Sequence, residues 1–85
     1  MKSFQYTIKD ELGIHARPAG MLAKEAKKYE SAIMIEAEGK SANVTRLMSV
    51  MALGIKSGAE ITVTAEGADE EQAIKEVQAF FEANL

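Results

Sequence analysis

Ile61-Thr62-Val63-Thr64-Ala65-Glu66-Gly67-Ala68-Asp69-Glu70-Glu71-Gln72-Ala73-Ile74-Lys75-Glu76-Val77-Gln78-Ala79-Phe80-Phe81 changes its hydrophobic period part-way along. Ile61, Val63 and Ala65 alternate with Thr62, Thr64 and Glu66, the two-residue period of a strand with one buried face. Ala73, Ile74, Val77, Phe80 and Phe81 then recur at three- and four-residue intervals, which places them on one face of a helix and leaves Lys75, Glu76 and Glu82 on the wet side. Asp69 is the expected N-cap, Glu70 and Glu71 lie in the first turn where the helix dipole favours negative charge, and Gln72 completes a capping-box spacing. A half-buried strand leading by a short connection into an amphipathic helix specifies two layers, with helices on one face of a sheet and solvent on the other.

The rest of the chain repeats this logic. Phe4, Tyr6 and Ile8 alternate with Gln5, Thr7 and Lys9 as a strand, and Asp10 to Gly13 reads as a turn. From about Ala16 to Tyr29 the apolar positions Ala19, Leu22, Ala23, Ala26 and Tyr29 have helical spacing, opposite Lys24, Glu25, Lys27 and Lys28. Ile33 and Ile35 start a hairpin that turns at Glu38-Gly39 and returns through Lys40 to Val44. Leu47, Met48, Val50, Met51 and Leu53 form a short helical cluster closed by Gly54. The string is β-α-β-β-α-β-α, an α+β open-faced sandwich.

Eighty-five residues and 9.2 kDa lead to the expectation of a single domain spanning 1–85. A chain this short has little room for a deep pocket, so function is expected on its outer surface. Ten basic residues against thirteen acidic ones give a net charge of −3, which argues against nucleic acid as the main partner. The absence of cysteine removes disulfides, thiolate metal sites and thiol nucleophiles, and a single histidine argues against a dedicated transition-metal site. The chain starts without an apolar signal segment and has no stretch long enough to span a bilayer, so a cytoplasmic protein with no membrane insertion is expected. Gly39-Lys40-Ser41 ends like a nucleotide-binding P-loop, yet Met34 stands where that motif needs its first glycine. Glu36, Glu38, Asp69, Glu70 and Glu71 read as solvated faces and a helix start rather than paired catalytic acids.

Chemistry concentrates in Gly13-Ile14-His15-Ala16-Arg17-Pro18-Ala19, which holds the only histidine, one of two arginines and the only proline. The first turn of a helix presents unpaired N–H groups and the positive end of the macrodipole, a ready anion site. Arg17 adds a planar fork of donors suited to phosphate oxygens. Proline's preference for the first helical position would make Arg17 the N-cap, whereas a helix starting at Ala16 would make His15 the N-cap; the imidazole lies beside the helix tip in both cases. A ring nitrogen there can act as a nucleophile, and the same field stabilises a dianionic group once attached. On these grounds alone a polar loop histidine of no consequence stays open. Leu47, Met48 and Met51 cannot all be buried on one stripe of so short a helix. Adaptable methionines suit a surface that accepts several partners, although core packing would also explain them.

His15 and its neighbours, followed at matching distances by Gly39-Lys40, by Met48-Ser49-Val50-Met51-Ala52-Leu53-Gly54-Ile55 and by Gly58-Ala59-Glu60-Ile61, give a chain that resembles HPr over essentially its whole length. HPr proteins are the histidine-containing phosphocarriers of the bacterial phosphoenolpyruvate-dependent sugar phosphotransferase system. The resemblance implies a four-stranded antiparallel sheet of order 1-4-2-3 with three helices. It also implies that His15 accepts a phosphoryl group on Nδ1 from phosphorylated enzyme I and passes it to a IIA component. Arg17 and the N–H groups of Ala16 and Arg17 would hold the phosphate, with Pro18 shaping the turn. Leu47, Met48 and Met51 would form part of the docking face, with Lys24, Lys27, Arg17 and Arg46 as a basic rim that steers acidic partners. Such a protein is a monomeric stoichiometric carrier rather than an enzyme, and needs no metal or cofactor. A regulatory paralogue of the family and a non-covalent anion-binding or partner-binding module are the alternative readings. One departure stands out: many Gram-positive members carry a regulatory serine at the position of Arg46, which has no hydroxyl to modify.

Overall fold

The computed structural model describes residues 1–85. Its elements run β1 (Lys2–Thr7), α1 (Ala16–Ala26), β2 (Ala32–Ala37), β3 (Lys40–Asn43), α2 (Leu47–Ala52), β4 (Glu60–Glu66) and α3 (Glu70–Asn84). The four strands form one sheet in the order β1-β4-β2-β3, and every neighbouring pair is antiparallel. The expected α+β string and strand order are those observed.

Register follows from the alternation. Phe4 pairs with Val63, Val63 with Ile35 and Ile35 with Ala42, a row on the buried face. One residue along, Ser3, Thr64, Met34 and Asn43 form a row on the opposite face, followed by Gln5, Thr62, Glu36 and Ser41. A slip of one residue would exchange these rows and turn Val63 and Ile35, both completely buried, towards water. α3 packs on β1 and β4, α2 on β3, and α1 on the other two helices. Phe81 of α3 is the largest fully buried side chain. The rings of Phe4 and Tyr6 meet it edge-on at 5.6 Å each, the arrangement that aromatic quadrupoles favour. Small buried residues, Ala19, Ala26, Ala65 and Ala73 among them, let the helices lie close to the sheet and to one another.

Two local expectations are corrected. α1 stops at Ala26 rather than Tyr29, because Lys28 N–H donates to the Glu25 carbonyl and Tyr29 N–H to that of Ala26, tightening the last turn. Tyr29 keeps its helical phase at three residues from Ala26, so it still packs against the core, and its hydroxyl donates to Glu25. Burial, first, and the Glu25 carboxylate push the Tyr29 hydroxyl up to about 12.

Asp69 is the N-cap residue of α3 but makes no capping bond to its own helix, and Gln72 closes no capping box. Its carboxylate instead accepts from the Glu30 and Ser31 amides, both at 2.9 Å, and from the Ser31 hydroxyl at 2.5 Å. The reach-back is made by Glu70, which accepts from the Gly67 amide at 3.2 Å. Gly67 permits this latch, since a Cβ there would lie 2.7 Å from Ser31 Cα. Ser31 is the one buried polar side chain, so its hydroxyl and amide outcompete the local cap for the carboxylate.

The Ser31 hydroxyl, with the two amides, holds the Asp69 carboxyl below the usual carboxylate range. A depressed folded value means that this stability is complete above about pH 4, the unfolded value, and is lost as pH falls through the lower folded one. Asp69→Asn is therefore expected to lower the melting temperature at neutral pH and to lose less on acidification than the parent. Thermal unfolding between pH 7 and pH 2 measures both, with Glu25 and Glu70, also held low, supplying the remaining acid dependence.

Candidate functional site

The loop from Thr7 to His15 is tied down at nearly every residue. Lys9 and Asp10 N–H groups donate to the Leu85 main-chain oxygen at 2.6 and 2.9 Å, and Gly13 N–H donates to the Asp10 carbonyl at 2.9 Å. Asp10 Oδ1 accepts from Leu12 N–H at 2.9 Å, an Asx turn. Ile14, itself buried, donates its N–H to the Ile55 carbonyl at 3.0 Å. Gly13 makes the seating possible. Its φ is +68°, and a Cβ would stand 2.3 Å from Ile55 O and 2.6 Å from Lys56 Cα.

Held in this way, His15 becomes the N-cap of α1, with extended backbone at φ −108° and ψ −178°, and Ala19 N–H makes the first helical bond to its carbonyl at 3.0 Å. Of the two registers that local rules allow, this is the one adopted. Pro18 falls at the third helical position, where it removes no helical bond, and its buried ring braces the turn. The amides of Ala16 and Arg17 have no acceptor within the protein, and Arg17 is exposed, without a hydrogen bond or ion pair. The His15 side chain keeps 36% of its surface exposed and makes no bond to its own helix. Its Nε2 stands 3.8 Å from Asp10 Oδ2, too far for a direct hydrogen bond. His15, Arg17, Pro18, Asp10, Met21 and Asn84 surround an open depression of about 220 Å³. That is below the size of ordinary small-molecule pockets and fits a small anion presented from outside.

Met48 is 76% exposed and Met51 38%, whereas Leu47 is half-buried against the core and Val50 is buried. Lys24 and Lys27 are exposed and unpaired, while Lys28 is bonded to Glu25 at 3.0 Å. Lys24 shares a helix face with Arg17, seven residues on. Lys27 is the C-cap at the far end of α1, roughly 15 Å along the axis from Arg17 at 1.5 Å per residue. Sequence reasoning missed Asp10, Leu12, Met21 and Asn84. Leu12, 73% exposed, projects from the Asx turn three residues before His15, and Met21, 45% exposed, lines the depression itself. The signal for Met21 was available, since it lies four residues beyond Arg17 and off the Ala19, Leu22, Ala23, Ala26 stripe. No group of three or more His, Cys, Asp or Glu residues is placed to hold a metal ion, and no helix is long and apolar enough to cross a membrane.

A family model described as the phosphorylation site of the PTS HPr component matches residues 2–83. The chain belongs to the HPr family. The phosphocarrier protein HPr of Mycoplasma genitalium is 46% identical over 85 residues, covering 99% of this chain and 97% of its own. A solved HPr from Thermoanaerobacter tengcongensis superposes with a TM-score of 0.92 at 38% identity, covering 98% of this chain and 93% of its own. An HPr dimer from the same organism superposes with a TM-score of 0.77 at 38% identity, covering 98% and 95%. The histidine-containing segment, the sheet order and the three helices of this chain are thus those of an HPr phosphocarrier.

Gly13 gives this HPr fold its most specific backbone requirement. Gly13→Ala is expected to cost about 1–3 kcal/mol from the left-handed backbone alone, with a further loss as Ile55 is pushed away. Urea denaturation measures the total, and the amide resonances of Ile14 to Arg17 should shift more than those of the sheet.

Proposed function

We propose that this protein is a phosphoryl carrier in which His15 accepts a phosphoryl group from phosphorylated enzyme I and passes it to a sugar-specific IIA component. The observation that carries the reading is a partly exposed imidazole at the N-cap of α1, beside two unpartnered amides and an unpaired guanidinium. The lone pair of one His15 nitrogen attacks phosphorus as the donor's P–N bond breaks, and that bond's electron pair returns to the donor ring. Nδ1 is the acceptor that the family resemblance implies, and the Asp10 carboxylate facing Nε2, where an incoming dianion would be repelled, supports it. The Ala16 and Arg17 amides and the Arg17 guanidinium then hold the phosphoryl oxygens, with Pro18 fixing the turn. Covalent loading and unloading of one residue makes the chain a stoichiometric carrier rather than an enzyme.

Met48 and Met51, with the half-buried Leu47, form the apolar part of the docking face. Lys24 and Lys27 provide a basic rim, which steers acidic partners in spite of the overall charge of −3. Arg46, the N-cap of α2, adds positive charge where the regulatory serine of other family members would stand, so modification of that kind is not part of this carrier. One hydrophobic cluster draws on six of the seven elements, and Phe4 and Tyr6 of β1 pack against it, which supports reading 1–85 as a single HPr-like domain. The carrier works in the cytoplasm as a monomer.

Incubated with phosphoenolpyruvate and enzyme I, the protein should gain one acid-labile, base-stable phosphoryl group, and His15→Ala should gain none. Arg17→Ala should melt normally yet load about ten- to a hundredfold more slowly, the factor carried by a charge-assisted hydrogen bond of 1.5–3 kcal/mol. Met48→Asp with Met51→Asp should raise the carrier concentration needed for half-maximal transfer; an unchanged requirement removes the docking role. Sedimentation equilibrium should return a mass near 9.2 kDa, and twice that mass overturns the monomer.

A further inference from the structure

We infer that Asp10 is a positioning residue for the reaction of His15, setting both the orientation of the imidazole and the ease with which it gives up its phosphoryl group. The inference rests on the carrier reading and extends it. Asp10 is held from three sides. Its N–H donates to the Leu85 oxygen at 2.9 Å, its carbonyl accepts from Gly13 N–H at 2.9 Å, and its Oδ1 accepts from Leu12 N–H at 2.9 Å. Only Oδ2 is left over, and it points at His15 Nε2, 3.8 Å away. A carboxylate fixed by its own turn sets negative charge against one edge of the ring and so favours N–H on that side. The other nitrogen keeps its lone pair for phosphorus.

The chemistry of release gives that proton its importance. When the phosphoryl group moves on, the P–N bond at Nδ1 breaks and its electron pair returns to Nδ1, while the acceptor's lone pair forms the new bond to phosphorus. With a proton on Nε2 the departing ring is neutral imidazole. Without it the departing ring is imidazolate, a far poorer leaving group. The proton comes from solvent, which reaches the exposed ring, and a carboxylate facing Nε2 favours its presence. The only charged side chains around the depression with His15 are Asp10 and Arg17, while Pro18, Met21 and Asn84 contribute none. Arg17 and Asp10 thus bring the two opposite charges to the depression, a guanidinium for the phosphoryl oxygens and a carboxylate that faces Nε2.

Asp10→Asn tests this, since an amide oxygen can still accept from Leu12 N–H while the charge is gone. Protein loaded from phosphoenolpyruvate and enzyme I is followed for loss of its phosphoryl group between pH 4 and pH 9. The variant should hold the group about fivefold longer at neutral pH, the factor that a unit charge near 4 Å carries in water. The two proteins should converge in acid, where every ring is protonated. The ring nitrogen shifts of unloaded His15 should also move away from the Nε2-protonated tautomer. Equal lifetimes and unchanged nitrogen shifts in a variant that loads normally overturn the role of Asp10 and leave the carrier standing. A parent that gains no phosphoryl group overturns the carrier reading and this inference with it.

Discussion

The approach of Gly13 to the Ile55-Lys56 segment is the constraint on which the functional end of this molecule depends. A loop between a strand and a helix would ordinarily leave the first helical turn frayed, with its amides turning freely in water. Here the Ile14 amide is bonded to the Ile55 carbonyl, and the backbone comes so close that no side chain fits at residue 13. The helix tip is thus fixed relative to the loop between α2 and β4, and through it to the sheet. Two unpartnered amides held at a fixed place are an electrostatic device, because donors already oriented need no reorganisation when charge arrives.

A second seam closes the opposite end of the helical layer on the same plan. Gly67 lies against Ser31 as Gly13 lies against Ile55, and Asp69 collects two amides and a hydroxyl from the segment that follows α1. In both places a glycine removes the steric obstacle and a main-chain donor finds an acceptor far away in sequence. An 85-residue chain buries too little apolar surface to hold its loops by packing alone. Polar seams at the two ends of α1 do what a larger core would do elsewhere. The seams differ in what they leave over. At Ser31 the amide, the hydroxyl and both Asp69 oxygens are paired, whereas at His15 the Ala16 and Arg17 amides and the Arg17 guanidinium have no partner.

That difference marks the limit of what could be read from the chain alone. Periodicity set out the sheet and helices because it reports burial, and burial is a local property of Ile61, Val63 and Ala65 or of Ala73, Val77 and Phe81. His15 and Arg17 were legible because a helix start is a local feature with a local electrostatic consequence. The expected order 1-4-2-3 and the docking role of α2 came from the family resemblance, since no spacing rule says which strand lies beside which. Asp10 is legible only as a turn former, which it is, because the meeting of its second oxygen with His15 depends on how the turn folds back. Asp69 looked like a cap by the local rule, but the competing demand came from Ser31, 38 residues earlier, and no pattern in the sequence links the two.

A carrier faces opposed requirements, and the depression around His15 meets them by being incomplete. Three non-bridging oxygens can take more hydrogen bonds than two amides and one guanidinium supply, so the loaded ring would keep part of its shell in water or in the next protein. A deeper cradle would hold the phosphoryl group more tightly and make it harder to pass on, because stabilisation of the loaded state raises the barrier to release by the same amount. Met21, exposed, lines the depression, and Leu12, also exposed, projects from the turn before His15, so a partner seated on this end of the molecule would cover both. When a partner covers them, water leaves the depression and each charge contact inside it strengthens. Stabilisation is then greatest in the docked complex, where the phosphoryl group is in flight, and weakest in the free carrier. The shallowness of the site is in this sense a property of its chemistry, not merely of the small size of the chain.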